Sequence, residues 1–375
     1  MRIASVVGTR PQLIKAAVLQ PLIRARHDEI FIDTGQHYDD ALARAFVDEL
    51  GLVPPDHTLG VGGGTATAQT AAMLERLGPI LAAARPDVVV VYGDTNSTLA
   101  GSIAAAQLDL PLAHIEAGLR SFERRMPEER NRVVADHLAT WLFAPTPTAV
   151  ANLAAEGIER GVWPVGDLMQ DLAARVSREV RDPAILAGIS ARLALPGPGL
   201  RPGGYLLATV HRAENREPAR LRAWASLLGA LATDDRPVLL ALHPGTAAAL
   251  AGAGIRLAPA VRVIEPQGYR TSLALQLHAA AVLTDSGGVQ RESAWLGVPC
   301  LILRDTTEWL EAVEGSAGRM VVVGLDRELA VAILARLAPM PGSEAEAGRR
   351  AASLDLQPAG AGEAILAALE AGPPR

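Results

Sequence analysis

The chain repeats one pattern many times: a short apolar run rich in β-branched residues, then a longer segment with apolar residues at helical spacing. IASVV, EIFID, DVVVVYGD, LAHIE and LFAPT are such runs in the first half, and YLLATVH, VLLALH, VRVIE, AVLTD, CLILR and MVVVG in the second. Segments such as ATAQTAAMLERLGPILAAAR and REPARLRAWASLLGALA carry the helical period between them. A helix between successive strands makes a crossover connection, so the pattern predicts an α/β fold with parallel sheets covered on both faces. The rhythm resets around VWPVGDLMQDLAARV, and the Pro/Gly-rich LALPGPGLRPGG opens the second series. A boundary near residues 165–170 therefore predicts an N-terminal domain over 1–167 and a C-terminal domain over 168–355. The closing segment, 356–375, contains GAGEAILAALEAG, a helix free to pack on either domain.

A chain of 375 residues, 49% apolar and 20% charged, is long enough to bury the cores of two such domains. Net charge is only −6 and the 35 basic residues are spread along the chain, which argues against a nucleic-acid partner. The N-terminus MRIASVVGTR has no signal-peptide apolar core, and no apolar run reaches twenty residues, so the sequence predicts a cytoplasmic protein with no membrane partner. The single cysteine, Cys300, lies in VPCLIL, which suits a buried thiol and excludes a disulfide framework. The eight histidines have no metal-ligand spacing, and no GxGxxG follows a strand; neither a metal nor a redox cofactor is expected. Every basic side chain is arginine except Lys15.

Parallel sheets bind ligands beyond the carboxyl ends of their strands, and the polar clusters fall there. Ser286-Gly287-Gly288 follows AVLTD at the start of a helical segment. Gly lets backbone N–H groups approach an anion, and a phosphate suits a helix N-terminus. Glu292, a turn further on, could accept ribose hydroxyls; a plain tight turn with a solvated Glu fits the same residues. Gly8-Thr9-Arg10-Pro11 follows the first strand, with Lys15 a turn beyond, and His211 and Arg212 end YLLATVHR. A strand-end histidine can hold a diphosphate or protonate a leaving group, or be structural. Asp94 closes DVVVVYGD, Glu116 closes LAHIE, and Glu128 follows Pro127, a first helical residue, in PEERNRVVADH. Three acids converging there would repel one another, which suits proton transfer; singly, each also fits a cap or an ion pair, such as Glu128 with Arg132.

Read in order, GTRPQLIKAAVL, TGQHYD, YGDTNSTLAGSIAA, HIEAGLRSF, MPEERNR, FAPT, TVHRAENR, HPGT, IEPQGY, LTDSGGVQRES and LRDTTEWLE resemble the non-hydrolysing UDP-N-acetylglucosamine 2-epimerase family across nearly the whole chain. The resemblance implies two Rossmann-like domains in a glycosyltransferase-B arrangement, an active site in the interdomain cleft, a UDP-sugar substrate and a homodimer. It assigns UDP binding to Arg10, Ser286, Gly287, Gly288 and Glu292, and catalysis to Asp94, Glu116, Glu128 and His211. Lys15, Arg120, Arg212, Gln36 and His37 match positions facing the cleft or substrate. The implied reaction interconverts UDP-GlcNAc and UDP-ManNAc through elimination of UDP to a bound 2-acetamidoglucal.

Gln12, Glu308-Trp309-Leu310 and Gly166-Asp167-Leu168 stand where many family members read GTRPE, TTERPE and GNT. These, with TGQHYD and the short SFERRMPEE, look closer to the branch acting on UDP-2,3-diacetamido-2,3-dideoxyglucuronate. Gln36 and His37 match an allosteric UDP-GlcNAc site of some members, but Ala72 lies near where an Arg of that site is expected. A glycosyltransferase of the same architecture would not need the three acids. A hydrolysing epimerase would share the first step, and a non-catalytic nucleotide-sugar sensor would need the glycine turn alone.

Overall fold

Each apolar run read from the sequence is a strand, and every strand pair is parallel. A computed structural model of the chain describes residues 1–36, 47–195, 199–338, 340 and 343–374. The chain divides into two units, Met1–Leu172 with Gln357–Arg375, and Ala173–Leu356.

The first unit runs β1 (Arg2–Val7), α1 (Arg10–Arg26), β2 (Asp28–Asp33), β3 (His57–Thr58), α2 (Ala66–Ala84), β4 (Val88–Tyr92), α3 (Asn96–Gln107), β5 (Leu112–Ile115), α4 (Pro127–Leu138), β6 (Trp141–Ala144), α5 (Pro147–Ala155) and β7 (Val162–Pro164). Its strand order is β3-β2-β1-β4-β5-β6-β7. The order reverses between β1 and β4, and such a switch point opens a crevice at the strand ends. Val88–Tyr92 is buried at every position, as a strand covered on both faces requires.

α6 (Leu168–Val180) leads into the second unit, which continues with α7 (Ile185–Arg192), β8 (Leu206–Val210), α8 (Pro218–Leu231), β9 (Val238–Leu242), α9 (Pro244–Gly252), β10 (Val261–Ile264), α10 (Tyr269–His278), β11 (Ala281–Thr284), α11 (Gly287–Trp295), β12 (Cys300–Ile302), α12 (Leu310–Gly315), β13 (Met320–Val322), α13 (Arg327–Leu337) and α14 (Ser343–Ser353). The order is β10-β9-β8-β11-β12-β13, with its switch point between β8 and β11. Trp224 of α8 is fully buried against this sheet, its indole N–H donating to the Asn215 carbonyl at 3.1 Å. A half-buried Arg350 on α14 donates to the carbonyls of Leu277 and Ala279 at the end of α10.

The last helix, α15 (Ala361–Glu370), belongs to the first unit. Asp171 accepts from the backbone N–H groups of Gly360 and Gly362 at its start. Arg26 of α1 pairs with Glu363 at 2.6 Å. A side chain at Gly362 would collide with Leu22, so α1 and α15 pack closely there. No described helix is long and apolar enough to cross a membrane.

Candidate active site

In the first unit the strand-end residues are drawn together at the switch point. Gln12, in the first turn of α1, accepts from the Gly8 and Thr9 N–H groups through Oε1. Its Nε2 donates to the Tyr92 carbonyl at 2.7 Å and to the hydroxyls of Thr95 and Thr98. One buried amide thus ties the end of β1 to the end of β4 and the start of α3. An amide is required, because only its nitrogen can donate to a carbonyl. Gln36 braces the same place, accepting from the Ser97 N–H and hydroxyl at 3.0 and 2.7 Å. Arg10 heads α1, partly buried. His37 lies outside the described residues.

Lys15 is buried one turn into α1, and its Nζ meets Glu116 Oε2 at 2.6 Å. Glu116 follows β5 with a φ of 73°, a left-handed conformation that non-glycine residues adopt at some cost and that recurs at functional sites. Gly93, after β4, faces this pair: a Cβ there would lie 3.1 Å from Glu116 Oε2. Its neighbour Asp94 pairs with Arg132 of α4, which also holds Glu129 at 2.7 Å. Glu129 in turn accepts from Ser121 and Phe122 N–H groups, fixing the loop before α4. Glu128 sits in the first turn of α4, beside Glu129.

The expectation of mutually repelling acids gives way here to a different arrangement, in which Asp94 and Glu116 each have their own fixed cation. Arg132 reaches Asp94 and Glu129. Arg120 also departs from the sequence expectation. It is buried, and Nε, Nη1 and Nη2 bond Glu156, the Leu119 carbonyl and Asp136, so it braces the segment after Glu116 from below. Asp136 is the centre of that brace, 2.7 Å from His114 Nδ1 and accepting from the Gly118 N–H. Burial works to raise its carboxyl, but His114 and Arg120 overcome this and hold it below the usual carboxylate range.

In the second unit, Asp285 is fully buried at the end of β11 and organises the end of β8. Its carboxylate accepts from the His211 and Arg212 N–H groups and from Asn215 Nδ2 at 2.8 Å. It also lies 3.3 Å from His211 Nδ1. The imidazole is depressed below its ordinary value, first by loss of water around it and then by Arg212, His243 and Arg216, with Asp285 working the other way.

Ser286 is the N-cap of α11, and Gly287 and Gly288 form its first turn. A Cβ at Gly287 would come within 2.8 Å of Glu308 Oε1 and 3.0 Å of the Trp309 indole nitrogen, so only glycine fits. Glu308 pairs with Arg304 at 2.6 Å and Arg212 at 3.5 Å. Burial would raise its carboxyl, but these two cations bring it below the ordinary range. Arg291 stacks on Trp309 at 3.9 Å. Glu292 lies a turn into α11, its Oε2 accepting from Gln276 at 2.6 Å. The structure therefore gathers His211, Arg212, Ser286, Gly287 and Gly288 around β8 and β11 of one unit, and Lys15, Asp94 and Glu116 around β1, β4 and β5 of the other. Asp136 and Gln276 carry no sequence signal of their own; Asp285 adjoins the glycine turn, and for Arg132 helical spacing offers Glu128 as a partner.

An open depression of about 800 Å³ lies at the opposite, amino ends of the first sheet, lined by Arg2, Arg24, Arg26 and Arg85 among others. Arg2, Arg24 and Arg26 already pair with Asp28, Glu29 and Glu363, which leaves little charge there for an anion. Among the described residues no group of three or more His, Cys, Asp and Glu could hold a metal ion.

Two all-parallel α/β units with polar clusters at their switch points define a Rossmann-like α/β protein. The profile of the UDP-N-acetylglucosamine 2-epimerase family matches residues 22–370, and the chain belongs to that family. It is 42% identical to the UDP-2,3-diacetamido-2,3-dideoxy-D-glucuronate 2-epimerase of Pseudomonas aeruginosa, over 88% of this chain and 90% of that one. It is 38% identical to the UDP-N-acetylglucosamine 2-epimerase of Methanocaldococcus jannaschii, over the same shares. The crystal structure of the M. jannaschii enzyme in complex with UDP-GlcNAc and UDP superposes with a TM-score of 0.84 at 33% identity, covering 99% of this chain and 100% of that chain. The glycosyltransferase SnogD from Streptomyces nogalater shares the fold, with a TM-score of 0.54 at 19% identity over 99% of both chains. These relatives named as 2-epimerases are isomerases.

Proposed function

We propose that the protein is a non-hydrolysing UDP-sugar 2-epimerase that interconverts UDP-GlcNAc and UDP-ManNAc. The observation that supports this most is the pair of carboxylates, Asp94 and Glu116, at strand ends of the first unit, each beside a fixed cation. A transferase or a sensor needs the glycine turn but has no use for two such bases.

The chemistry follows from what is difficult. The C2 proton of a hexosamine is not acidic. Breaking the C1–O bond to UDP first builds positive charge at C1, which acidifies the neighbouring C2–H. A unit 1 carboxylate takes that proton, the C2–H electron pair forms the C1–C2 double bond, and UDP leaves with the C1–O pair. Return of a proton to the other face of C2 and re-addition of UDP at C1 gives the epimer. Placed acids and bases contribute about 10²–10⁴-fold each. Asp94, Glu116 and Glu128 are the groups assigned to these transfers.

Ser286, Gly287 and Gly288 present a helix N-terminus to the diphosphate, His211 and Arg212 add donors, and Glu292 accepts from the ribose. Lys15 holds the Glu116 carboxylate in place, its Nζ 2.6 Å from Oε2. The family resemblance further implies a homodimer working in the cytoplasm.

The 42% identity to the P. aeruginosa enzyme favours a second reading, the same reaction on UDP-2,3-diacetamido-2,3-dideoxyglucuronate. Incubation in D₂O with each substrate, followed by NMR, tests both. The proposal expects deuterium at C2 and the manno product from UDP-GlcNAc. Exchange with the glucuronate alone would establish the second reading, and exchange with neither would remove the epimerase reading.

A further inference from the structure

Gln276 lies on α10 and is fully buried, yet only half of its amide is satisfied. Nε2 donates to Glu292 Oε2 at 2.6 Å, while Oε1 has no hydrogen-bond partner among the described residues. A buried carbonyl left in this state is costly, and a methionine of similar volume would avoid it. Packing alone therefore does not account for an amide at this position. What the amide offers, and an apolar side chain does not, is an N–H aimed at a carboxylate.

Glu292 is itself 95% buried, on the helix that begins with the glycine turn. A carboxylate there is useful to a ligand only if it stays ionised and keeps one rotamer. A donated hydrogen bond on Oε2 favours the charged form and stops rotation about the last side-chain torsion. Gln276 approaches from the neighbouring helix, so the position of Glu292 is set by two elements that flank β11.

We propose that Gln276 is a positioning residue for nucleotide recognition: its amide holds the Glu292 carboxylate in the orientation that receives the ribose hydroxyls. The inference rests on the reading of Glu292 as the ribose acceptor. It assigns Gln276 a role in selecting a nucleotide with an intact ribose diol, with no part in the proton transfers at C2.

The test compares UDP with 2′,3′-dideoxy-UDP by calorimetry on the full-length protein, with Gln276→Met, Gln276→Asn and Glu292→Gln. Gln276→Met is expected to weaken UDP about 5- to 20-fold and the dideoxy ligand less than about twofold, the scale of one hydrogen bond to a charged group. An equal loss for both ligands is the signature of a structural role and overturns the proposal, as does no loss. Should Gln276→Met fail to fold, Gln276→Asn keeps the amide but withdraws it from Glu292, and the same selective loss is expected. If Glu292→Gln abolishes the preference for UDP and the Gln276 variants retain it, the Gln276 role alone is wrong. If the unaltered protein binds both ligands equally well, the ribose reading of Glu292 fails and the role of Gln276 falls with it.

Discussion

Lys15 Nζ and Glu116 Oε2 lie 2.6 Å apart, with side chains only 4% and 10% exposed, so the chain's one lysine is committed to one carboxylate. An ammonium at that distance fixes the carboxylate in one position, and an enclosed pair of this kind is costly to break from either side. The left-handed backbone at Glu116 and the absence of a side chain at Gly93 make room for the pair.

Replacing Lys15 by Met leaves Glu116 buried without this counter-ion. Removing one partner of a buried pair costs about 3–5 kcal/mol of stability. Chemical denaturation is expected to show a loss of that size, and epimerisation measured by NMR is expected to fall at least about 100-fold. UDP affinity, proposed to rest on the other unit, is expected to change little.

The Gln12 side chain makes six hydrogen bonds that join the end of β1 to β4 and α3. Gln12→Leu keeps the volume and removes them all, leaving the Gly8 N–H buried without its acceptor and the Tyr92 carbonyl with the Thr98 hydroxyl as its remaining side-chain donor. Urea unfolding is expected to show a loss on the order of 3 kcal/mol.

Asp136 supplies a pH dependence whose sign is fixed. Its folded value lies below the ordinary 3.8. The stability it contributes is therefore present above about pH 4 and is lost as pH falls through the folded value, because the unfolded chain takes up the proton first. Asp136→Asn is expected to lower stability at pH 7 and to flatten the stability curve below about pH 4. An unchanged acid limb in thermal melts would contradict this.

The parallel architecture was legible because eleven apolar runs, each followed by a helical segment, leave few alternatives. The two strands without such a signal, His57–Thr58 and Val162–Pro164, are short edge strands of two and three residues. Strand-end motifs were legible for the same reason, since the topology of a parallel sheet sends them to one side. Their partners were not. Asp285 meets His211 from 74 residues away, Arg132 meets Asp94 from 38, and Asp136 meets His114 from 22. Local periodicity does not encode such pairings; they depend on which helix packs over which strand end. For Arg132, helical spacing offers Glu128, while its pair with Asp94 depends on α4 packing at the end of β4.

His211 yields a binding prediction. Its imidazole is depressed first by loss of water and then by Arg212, His243 and Arg216, and a bound diphosphate would offset those charges and raise it. UDP binding near pH 6.5 is expected to take up a fraction of a proton. Calorimetry in two buffers of different ionisation enthalpy measures this, and His211→Gln is expected to abolish it. Equal apparent enthalpies in the two buffers would argue against a diphosphate beside His211.

The central claim is that unit 1 carboxylates move the C2 proton and unit 2 holds the nucleotide. Asp94→Asn and Glu116→Gln, each assayed for deuterium incorporation at C2 and for UDP affinity, test it most directly. The account predicts that exchange falls by about 100-fold or more while the dissociation constant for UDP stays within about threefold. Exchange that survives in both variants, or UDP affinity that falls as far as exchange does, would contradict it.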